Sequence, residues 1–168
     1  MKATLIDIYP ESKVLECPEC GGNMILRKSP KYPHPFYGCT RFPYCTSSHG
    51  AHPNGAPLGI PGNSETKEWR IKAHAAMDPL WGRGDKTTDK QRKNYRRKVA
   101  YNWLAFQLGI KNVREECHIA MFGVEQCKDV IAVCEGISWS EMEQWYKARQ
   151  AQLAPRNTPR KGKMPRYY

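Results

Sequence analysis

The chain has 168 residues, of which 40% are hydrophobic and 26% charged, and its formal net charge is +11. This length suffices for one modest domain together with a small module that a metal ion stabilises. No apolar stretch is long enough to predict a transmembrane span, so we expect no membrane partner. The positive charge favours a polyanionic partner instead.

Short β-strands are favoured in the first 16 residues. Residues 5–9 and 14–15 are rich in β-favouring side chains and flank a turn at Pro10. We expect these pieces to lead into, or pair with, the segment that follows. Residues 1–9 lack the long apolar core of a signal peptide, so a reducing cytoplasm is the expected compartment.

Four cysteines between residues 17 and 45 have the spacing of a zinc site. Two residues separate Cys17 from Cys20, five separate Cys39 from Cys45, and eighteen separate the two pairs. In the first pair, Cys-Pro-x-Cys-Gly-Gly, the glycines allow backbone amides to point at sulfur. Four thiolates close a tetrahedral ion completely, whereas a catalytic zinc keeps a position open for water or substrate. The pattern therefore predicts one structural zinc ion.

Disulfides, buried free thiols and histidine ligands are the alternatives to this site. The chain has seven cysteines, an odd number, and a reducing compartment disfavours disulfides. His34, His49 and His52 lie near enough in sequence to replace one ligand, but a complete set of cysteines leaves them no vacancy. His49 and His52 therefore stay without an assigned role.

Two strands of a zinc ribbon are predicted over residues 24–27 and 34–37, joined by a loop over residues 28–33. Aromatic and basic side chains occur together there, which is typical of a surface that stacks on bases and follows phosphates. A four-thiolate zinc centre contributes about −2, so the ribbon alone should carry about +1 and bind weakly. The predicted stacking residues are Phe36, Tyr37, Phe42 and Tyr44, and the predicted phosphate contacts are Arg27, Lys28, Lys31 and Arg41.

The ribbon resembles a known zinc-finger family. The motifs that carry the resemblance are Cys17-Pro18, Cys20-Gly21-Gly22, Phe36-Tyr37-Gly38-Cys39 and Phe42-Pro43-Tyr44-Cys45, together with Met24 and Arg27. They are similar to the C-terminal zinc-finger repeats of bacterial type IA DNA topoisomerases, although Phe42 replaces the usual tyrosine. The resemblance implies a ribbon that binds single-stranded DNA. It does not imply strand cleavage, because 168 residues leave no room for the catalytic domains.

A second resemblance extends from residue 17 to about residue 135. In this range the chain is similar to a family of zinc-finger-containing proteins of unknown function that is frequent in phages and prophages. Such an origin would imply the cytoplasm of the host. The resemblance is carried by His52-Pro53, Pro57-Leu58-Gly59, Ala73-His74, Asp78-Pro79-Leu80-Trp81, Trp103-Leu104-Ala105, Leu108-Gly109-Ile110, Cys117-His118-Ile119 and Gln126-Cys127.

The expected fold class is α+β, with a small N-terminal zinc ribbon followed by an all-α helical domain and a basic disordered tail. The ribbon with its N-terminal β segment is assigned to residues 1–49 and the helical domain to residues 64–154. Residues 50–63 form a Gly/Pro-rich connection that we expect to be an ordered loop, and the loop character begins at residue 46. Residues 155–168 are basic, lack apolar periodicity and form the tail.

Helices are predicted over residues 65–77, 89–108, 124–135 and 139–153, with a short segment over 113–121. The expected N-terminal caps are Ser64, Thr88 with Gln91, and Ser138 with Glu141, and Gly109 and Gly136 are the expected stops. The apolar stripe of the second helix is predicted from Tyr95, Val99, Ala100, Trp103, Leu104 and Phe106.

Positive charge is concentrated in two segments of the chain. Residues 85–98 hold seven Lys/Arg and two Asp, and residues 147–168 hold seven Lys/Arg and no acid. We interpret the first segment as a phosphate-following surface, with a merely solvated helix face as the alternative. Its candidate contacts are Arg92, Lys93, Arg96 and Arg97.

Cys117, Cys127 and Cys134 are interpreted as small buried hydrophobes. A second zinc site formed by these residues and His118 is the alternative, but the seven-residue spacing of Cys127 and Cys134 is that of a core stripe. His74 lies four residues before Asp78 and is interpreted as a packing or capping residue rather than part of an acid–base pair.

Two classes of function compete. The first is a zinc-dependent, non-enzymatic nucleic-acid-binding protein with single-stranded DNA as its ligand. The second is an adaptor or inhibitor that binds a host or phage protein through Trp139, Trp145 and Tyr146, with zinc only holding the fold. The sequence shows no nucleophile–base set, phosphate loop or open metal site, so we expect no enzymatic activity.

Overall fold

The computed structural model describes residues 9–83 and 89–154. A four-stranded sheet is followed by helices, which confirms the predicted α+β class. The first predicted strand (5–9), the cap Thr88 and the basic tail lie wholly or largely outside the described residues. The strands are β1 (Leu15–Glu16), β2 (Asn23–Arg27), β3 (Phe36–Cys39) and β4 (Ser48–Gly50). The helices are α1 (Ser64–Met77), α2 (Lys90–Gln107), α3 (Val113–Glu116), α4 (Val124–Cys134) and α5 (Trp139–Leu153), with 3₁₀ turns at Asp78–Trp81 and Ile119–Met121.

The sheet is antiparallel throughout, and its strands are neighbours in chain order. Side chains of β2 alternate between the two faces: Met24 and Leu26 are buried, whereas Ile25 between them is 40% exposed. The ribbon core therefore lies on one face of the sheet. It consists of Cys17, Met24, Leu26, Tyr37, Cys39 and Ala51.

The fourth strand corrects the prediction of a loop from residue 46 onward. Residues 48–50 pair with residues 36–38 of β3, and Ala51 forms a further bridge with Pro57. Three residues are too few to show an alternating pattern, and the pairing joins residues distant in sequence. The strand also crosses the boundary placed at residue 49.

Two helix starts differ slightly from the prediction. Asn63, not Ser64, caps α1, since its side-chain oxygen accepts a hydrogen bond from the Thr66 amide at 2.9 Å. Asp89 caps α2 in the same way, accepting from the Arg92 amide at 3.0 Å. Asparagine and aspartate, like serine and threonine, have a short side chain whose oxygen can accept from the orphan amides, so neighbouring polar residues compete for this position.

Other helix ends are as predicted. Ser138 and Glu141 form a reciprocal capping box at α5, with the Ser138 amide donating to the Glu141 carboxylate at 2.8 Å. Gly109 follows α2 with a φ of 67°, and Gly136 follows α4 with a φ of 75°; both angles lie in the left-handed region. These residues end the helices because glycine adopts that conformation without steric cost.

The helical core is separate from the ribbon core. Helix α1 packs on α4, and α2 packs on α5. Cys117, Cys127 and Cys134 are buried in this core, as predicted, and burial raises the pKa of Cys117 to about 12. Tyr95 and Phe106, placed in the apolar stripe, are 39% and 49% exposed and contact aromatic rings of α5 at the edge of the interface.

Polar contacts fasten the ribbon to the helices. The Glu19 carboxylate accepts hydrogen bonds from the amide and the hydroxyl of Ser64. Lys67 donates to the Ser48 carbonyl at 2.8 Å, and Arg70 donates to the carbonyls of Ile60 and Phe122. The ribbon is therefore bound to α1 through Glu19 and Ser48, and the connection is bound to α1 through Ile60.

Gly59 marks a close approach within this connection. Its φ is 72°, and a Cβ at this position would lie 2.5 Å from the Ala120 carbonyl oxygen. The next residue, Ile60, donates its amide to the same carbonyl at 3.2 Å. Only glycine allows the two backbones to meet in this way. Within the described ranges, no helix is long and apolar enough to cross a membrane.

Candidate metal centre and nucleic-acid interface

Strand and loop geometry brings the four predicted metal ligands together. Their sulfur atoms all lie within 4.8 Å of one another, and Cys17 to Cys45 and Cys20 to Cys39 are 3.7 Å and 3.5 Å apart. A tetrahedral ion with Zn–S bonds of about 2.3 Å would place its sulfurs about 3.8 Å apart. A disulfide requires about 2.05 Å. The cluster therefore fits one structural zinc ion.

The electrostatic environment of the four thiols also favours binding of a cation. Burial works to raise the pKa of Cys17, but the backbone amides of Glu19 and Cys20 lower it to about 6. The Ser47 amide works to lower the pKa of Cys45, yet burial and the neighbouring thiols raise it to about 12. Four thiolates at this separation repel one another strongly, and a divalent ion removes that repulsion.

Two arginines join the halves of the metal site. The Arg41 amide approaches the Cys39 sulfur at 3.4 Å, while its guanidinium donates to the Cys20 carbonyl at 2.7 Å. Arg27 donates to the Cys39 carbonyl at 3.2 Å. Both residues were predicted as phosphate contacts, and they also have a structural role, since each links its guanidinium to the carbonyl of a zinc ligand.

Among the histidines, none joins the metal cluster. Over residues 9–83 and 89–154, the one group of three or more side chains arranged to hold a metal is the ribbon cysteine set. His34 and His52 are exposed, and His49 lies in β4 opposite Tyr37. The proposed alternative around Cys117 and His118 thus gains no support from the described residues.

The aromatic residues of the ribbon divide into exposed and buried. Phe42 and Tyr44 are 64% and 98% exposed, and Phe36 is half-buried. Tyr37 is fully buried, and its hydroxyl donates to the Gly55 carbonyl at 2.6 Å. The prediction that Tyr37 is a stacking surface is therefore wrong: it is a core residue that ties the connection to the sheet.

Phe36 and Phe42 line the same hollow beside the metal site. This hollow has a volume of 210 Å³ and is bordered by Arg27, by the backbone of β3 and by residues 45–48. Gly38 belongs to its lining, and a Cβ there would come within 2.9 Å of the Arg27 side chain. An aromatic pocket with a guanidinium at its border is thus built directly on the zinc-held backbone.

Tyr32 is an aromatic residue that sequence reasoning missed. It lies in the loop between the two predicted strands, is 61% exposed, and has the Lys31 ammonium 5.3 Å from its ring centre. Lys28 and Lys31 are exposed on the same loop. The Lys31-Tyr32 pair between two prolines was the sequence signal that could have identified it.

Helix α2 does not present its predicted cations on one face. Arg92 and Arg97 are exposed and Lys93 is half-buried, whereas Arg96 packs its guanidinium 4.8 Å from the ring centre of Trp139. Arg96 is therefore committed to the interface with α5. The basic run is divided by helical periodicity, which the charge count did not take into account.

His74 and Asp78 form a local ion-pair group. The His74 ring and the Asp78 carboxylate are 3.2 Å apart, and Arg83 donates to the same carboxylate at 2.6 Å. The group spans the end of α1 and the following 3₁₀ turn. The His74–Asp78 contact links the last turn of α1 to this 3₁₀ turn.

The fold and the cysteine cluster define a zinc-ribbon protein with an appended helical domain. Residues 13–137 match the family described as zinc-finger-containing domain, and the chain belongs to that family. It is also similar to DNA topoisomerase 1 of Methanothermobacter thermautotrophicus, with 32% identity over 84 residues. That match covers 45% of this chain and 11% of the topoisomerase. No solved structure matches the chain.

Proposed function

We propose that this protein binds single-stranded nucleic acid, with single-stranded DNA as its ligand, and that it does so without catalysis. The observation that carries the proposal is the hollow shared by Phe36 and Phe42 beside Arg27. Unpaired bases stack on aromatic side chains, while paired bases have their faces covered. The zinc ion would hold the backbone that positions these rings and take no part in a reaction.

The size of the hollow suits a single base. Its 210 Å³ is below the range of about 300–1,000 Å³ that is usual for pockets of drug-sized ligands. Flat aromatic walls accept any base, because every base has a π face, so little sequence preference is expected. Arg27 at the border and the exposed Arg41 are placed to meet the phosphates next to a stacked base.

The similarity to DNA topoisomerase 1, by its name a protein acting on DNA, supports this assignment for the ribbon. None of the seven cysteines, all of which lie in the described ranges, forms a disulfide; this suits a reducing compartment, and we place the protein in the cytoplasm. Its origin in a phage, with the host cytoplasm as its location, is part of the proposal and rests on the resemblance over residues 17–135.

Binding to matched single-stranded and duplex DNA and RNA tests the proposal. Fluorescence anisotropy at two salt concentrations should show tighter binding to single strands than to duplexes of the same sequence. Affinity should fall with salt, because phosphate contacts release counterions. Equal binding to single strands and duplexes would remove the stacking argument, and absence of binding would overturn the function.

A protein-binding role is the second candidate, and one observation favours it. Trp145 and Phe106 line a groove of 510 Å³ between α2 and α5, which continues to Leu153, itself 67% exposed. Of the other predicted anchors, Tyr146 is buried and Trp139 is covered by Arg96. Lys111 and Arg149 also line this groove, and the Arg149 guanidinium lies 4.8 Å and 5.9 Å from the ring centres of Phe106 and Trp145. Docking through its aromatic surface should respond less to salt than nucleic-acid binding does, which distinguishes the two functions.

A further inference from the structure

A cationic groove lies in the helical domain, between α2 and the segment that contains α3. It has a volume of 280 Å³. Its polar lining comes from Asn94, Arg97, Lys98, Tyr101, Arg114 and His118. Of these six residues, only Arg97 was predicted from the sequence as a nucleic-acid contact.

Helical spacing explains one wall of the groove. Asn94, Arg97, Lys98 and Tyr101 occur at intervals of three and four residues, so they form one stripe along α2. The Arg97 guanidinium lies 5.4 Å from the ring centre of Tyr101. This contact restricts the conformations of the Arg97 side chain in the free protein, so less conformational entropy is lost when a ligand binds.

Hydrogen bonds from side chains to backbone carbonyls hold the opposite wall and the floor of the groove. His118 Nε2 is 2.6 Å from the Arg114 carbonyl oxygen, and since a carbonyl only accepts, this nitrogen carries the proton. Beneath them, the buried Cys117 thiol donates to the Tyr101 carbonyl at 3.7 Å. Burial raises the pKa of Cys117 to about 12, so the floor of the groove is neutral.

Among the described residues, no acid forms an ion pair with the cations of this groove. No acidic residue belongs to its lining. Within the part of the chain that the structure describes, the ion pairs involve neither Arg97, Lys98 nor Arg114. The nearby Glu115 carboxylate is engaged by the Asn112 amide at 2.6 Å. Three positive charges thus converge on one concave surface with an amide donor, Asn94, beside them.

We propose that this groove binds a phosphate of the nucleic-acid backbone, as a contact site separate from the ribbon. Guanidinium groups donate in a fork that matches phosphate oxygens, and the ammonium of Lys98 adds a point charge. The groove contains Arg97, which the sequence predicted as a contact, and adds Arg114, Asn94 and His118 to it. The inference rests on the proposed function, since it names a further contact with the same ligand.

The test removes the two guanidinium groups of the groove with the double variant R97Q/R114Q. For single-stranded DNA, each lost phosphate contact reduces the slope of log K against log salt by about 0.7, so the loss of this one contact should lower the slope by about 0.7. Relative to about 1 M salt, where the contact contributes nothing, the corresponding loss of affinity is about 5-fold at 0.1 M salt and about 3-fold at 0.2 M. The control is K72Q/K128Q, which removes the same formal charge from residues that pack on Trp69 and do not line the groove. K72Q is also measured alone, because Lys128 is paired with Glu125 at 2.7 Å.

The outcomes separate this inference from the function on which it rests. A slope that changes equally in R97Q/R114Q and in K72Q/K128Q would overturn the groove but leave single-strand binding in place. The slope could change only in R97Q/R114Q while the original protein binds single strands and duplexes equally. This result would support the groove as a phosphate site and reject the hollow as a stacking site. Inorganic phosphate could stabilise the original protein against heat but not R97Q/R114Q, while both proteins show the same salt slope for DNA. This result would assign the groove to a small anion and overturn the inference. Circular dichroism and zinc content of each variant verify that it is folded.

Discussion

Replacing Phe42 by alanine tests the aromatic hollow directly. Phe42 is 64% exposed, so its removal takes little apolar surface from the ribbon core and should leave zinc content and unfolding temperature near the original values. Its ring lines the hollow together with Phe36. Because stacking is worth about 1–3 kcal/mol per base, we expect the Kd for single-stranded DNA to rise about 5- to 150-fold.

The assay is fluorescence anisotropy with a labelled single strand and its duplex, each at two salt concentrations. The salt slope should be unchanged, because Phe42→Ala removes no phosphate contact. Tyr44→Ala is the matched control: Tyr44 is 98% exposed on the same loop and does not belong to the lining of the hollow. Its effect on single-strand affinity should be clearly smaller.

Two results would refute this reasoning. If Phe42→Ala weakens single strands and duplexes by the same factor, the hollow does not recognise unpaired bases. If Tyr44→Ala weakens binding as much as Phe42→Ala, exposed aromatic surface in general is responsible, and the geometry of the hollow is not. Full single-strand affinity in the combined Phe36→Ala, Phe42→Ala protein would place the binding site outside the hollow.

Three further predictions concern the metal, the tail and the junction. The purified protein should contain one zinc ion per chain by metal analysis, and Cys39→Ser should lose it and unfold the ribbon, because metal binding and folding are coupled in so small a module; a well-folded, zinc-free protein would contradict this. Deleting residues 156–168 removes five positive charges and should weaken all nucleic acids, reducing the salt slope for single strands by at most about 3.5 in a salt titration; an unchanged slope would exclude the tail from binding. Gly59→Ala should destabilise the junction by about 1–3 kcal/mol in thermal unfolding, because its Cβ would clash with Ala120. Gly109 has a similar φ of 67° but open space around it, so Gly109→Ala should lower the free energy of unfolding by less. Equal losses would show that backbone strain alone, without the clash, determines the effect.

Local chemistry explains why much of this protein could be predicted from its sequence. The spacing of Cys17, Cys20, Cys39 and Cys45 predicted the metal centre because two closely spaced cysteine pairs are the usual ligand pattern of a tetrahedral zinc site. The capping box of Ser138 and its partner was predicted because the atoms that form it lie three residues apart. Where two adjacent polar residues could serve, as at the start of α1, the prediction was one residue off.

Only the tertiary structure decided which side chains are available to a ligand. Tyr37 and Phe36 are adjacent in sequence, yet one is fixed in the ribbon core and the other opens on the hollow. Strand side chains alternate, and the connection packs on the Tyr37 side through Ala51 and Gly55. Arg96 and Arg97 are equivalent in a charge count, but helical rotation directs one to Trp139 and the other to the groove with Arg114. Such assignments depend on contacts between residues far apart in the chain, and a sequence pattern contains no direct record of those contacts.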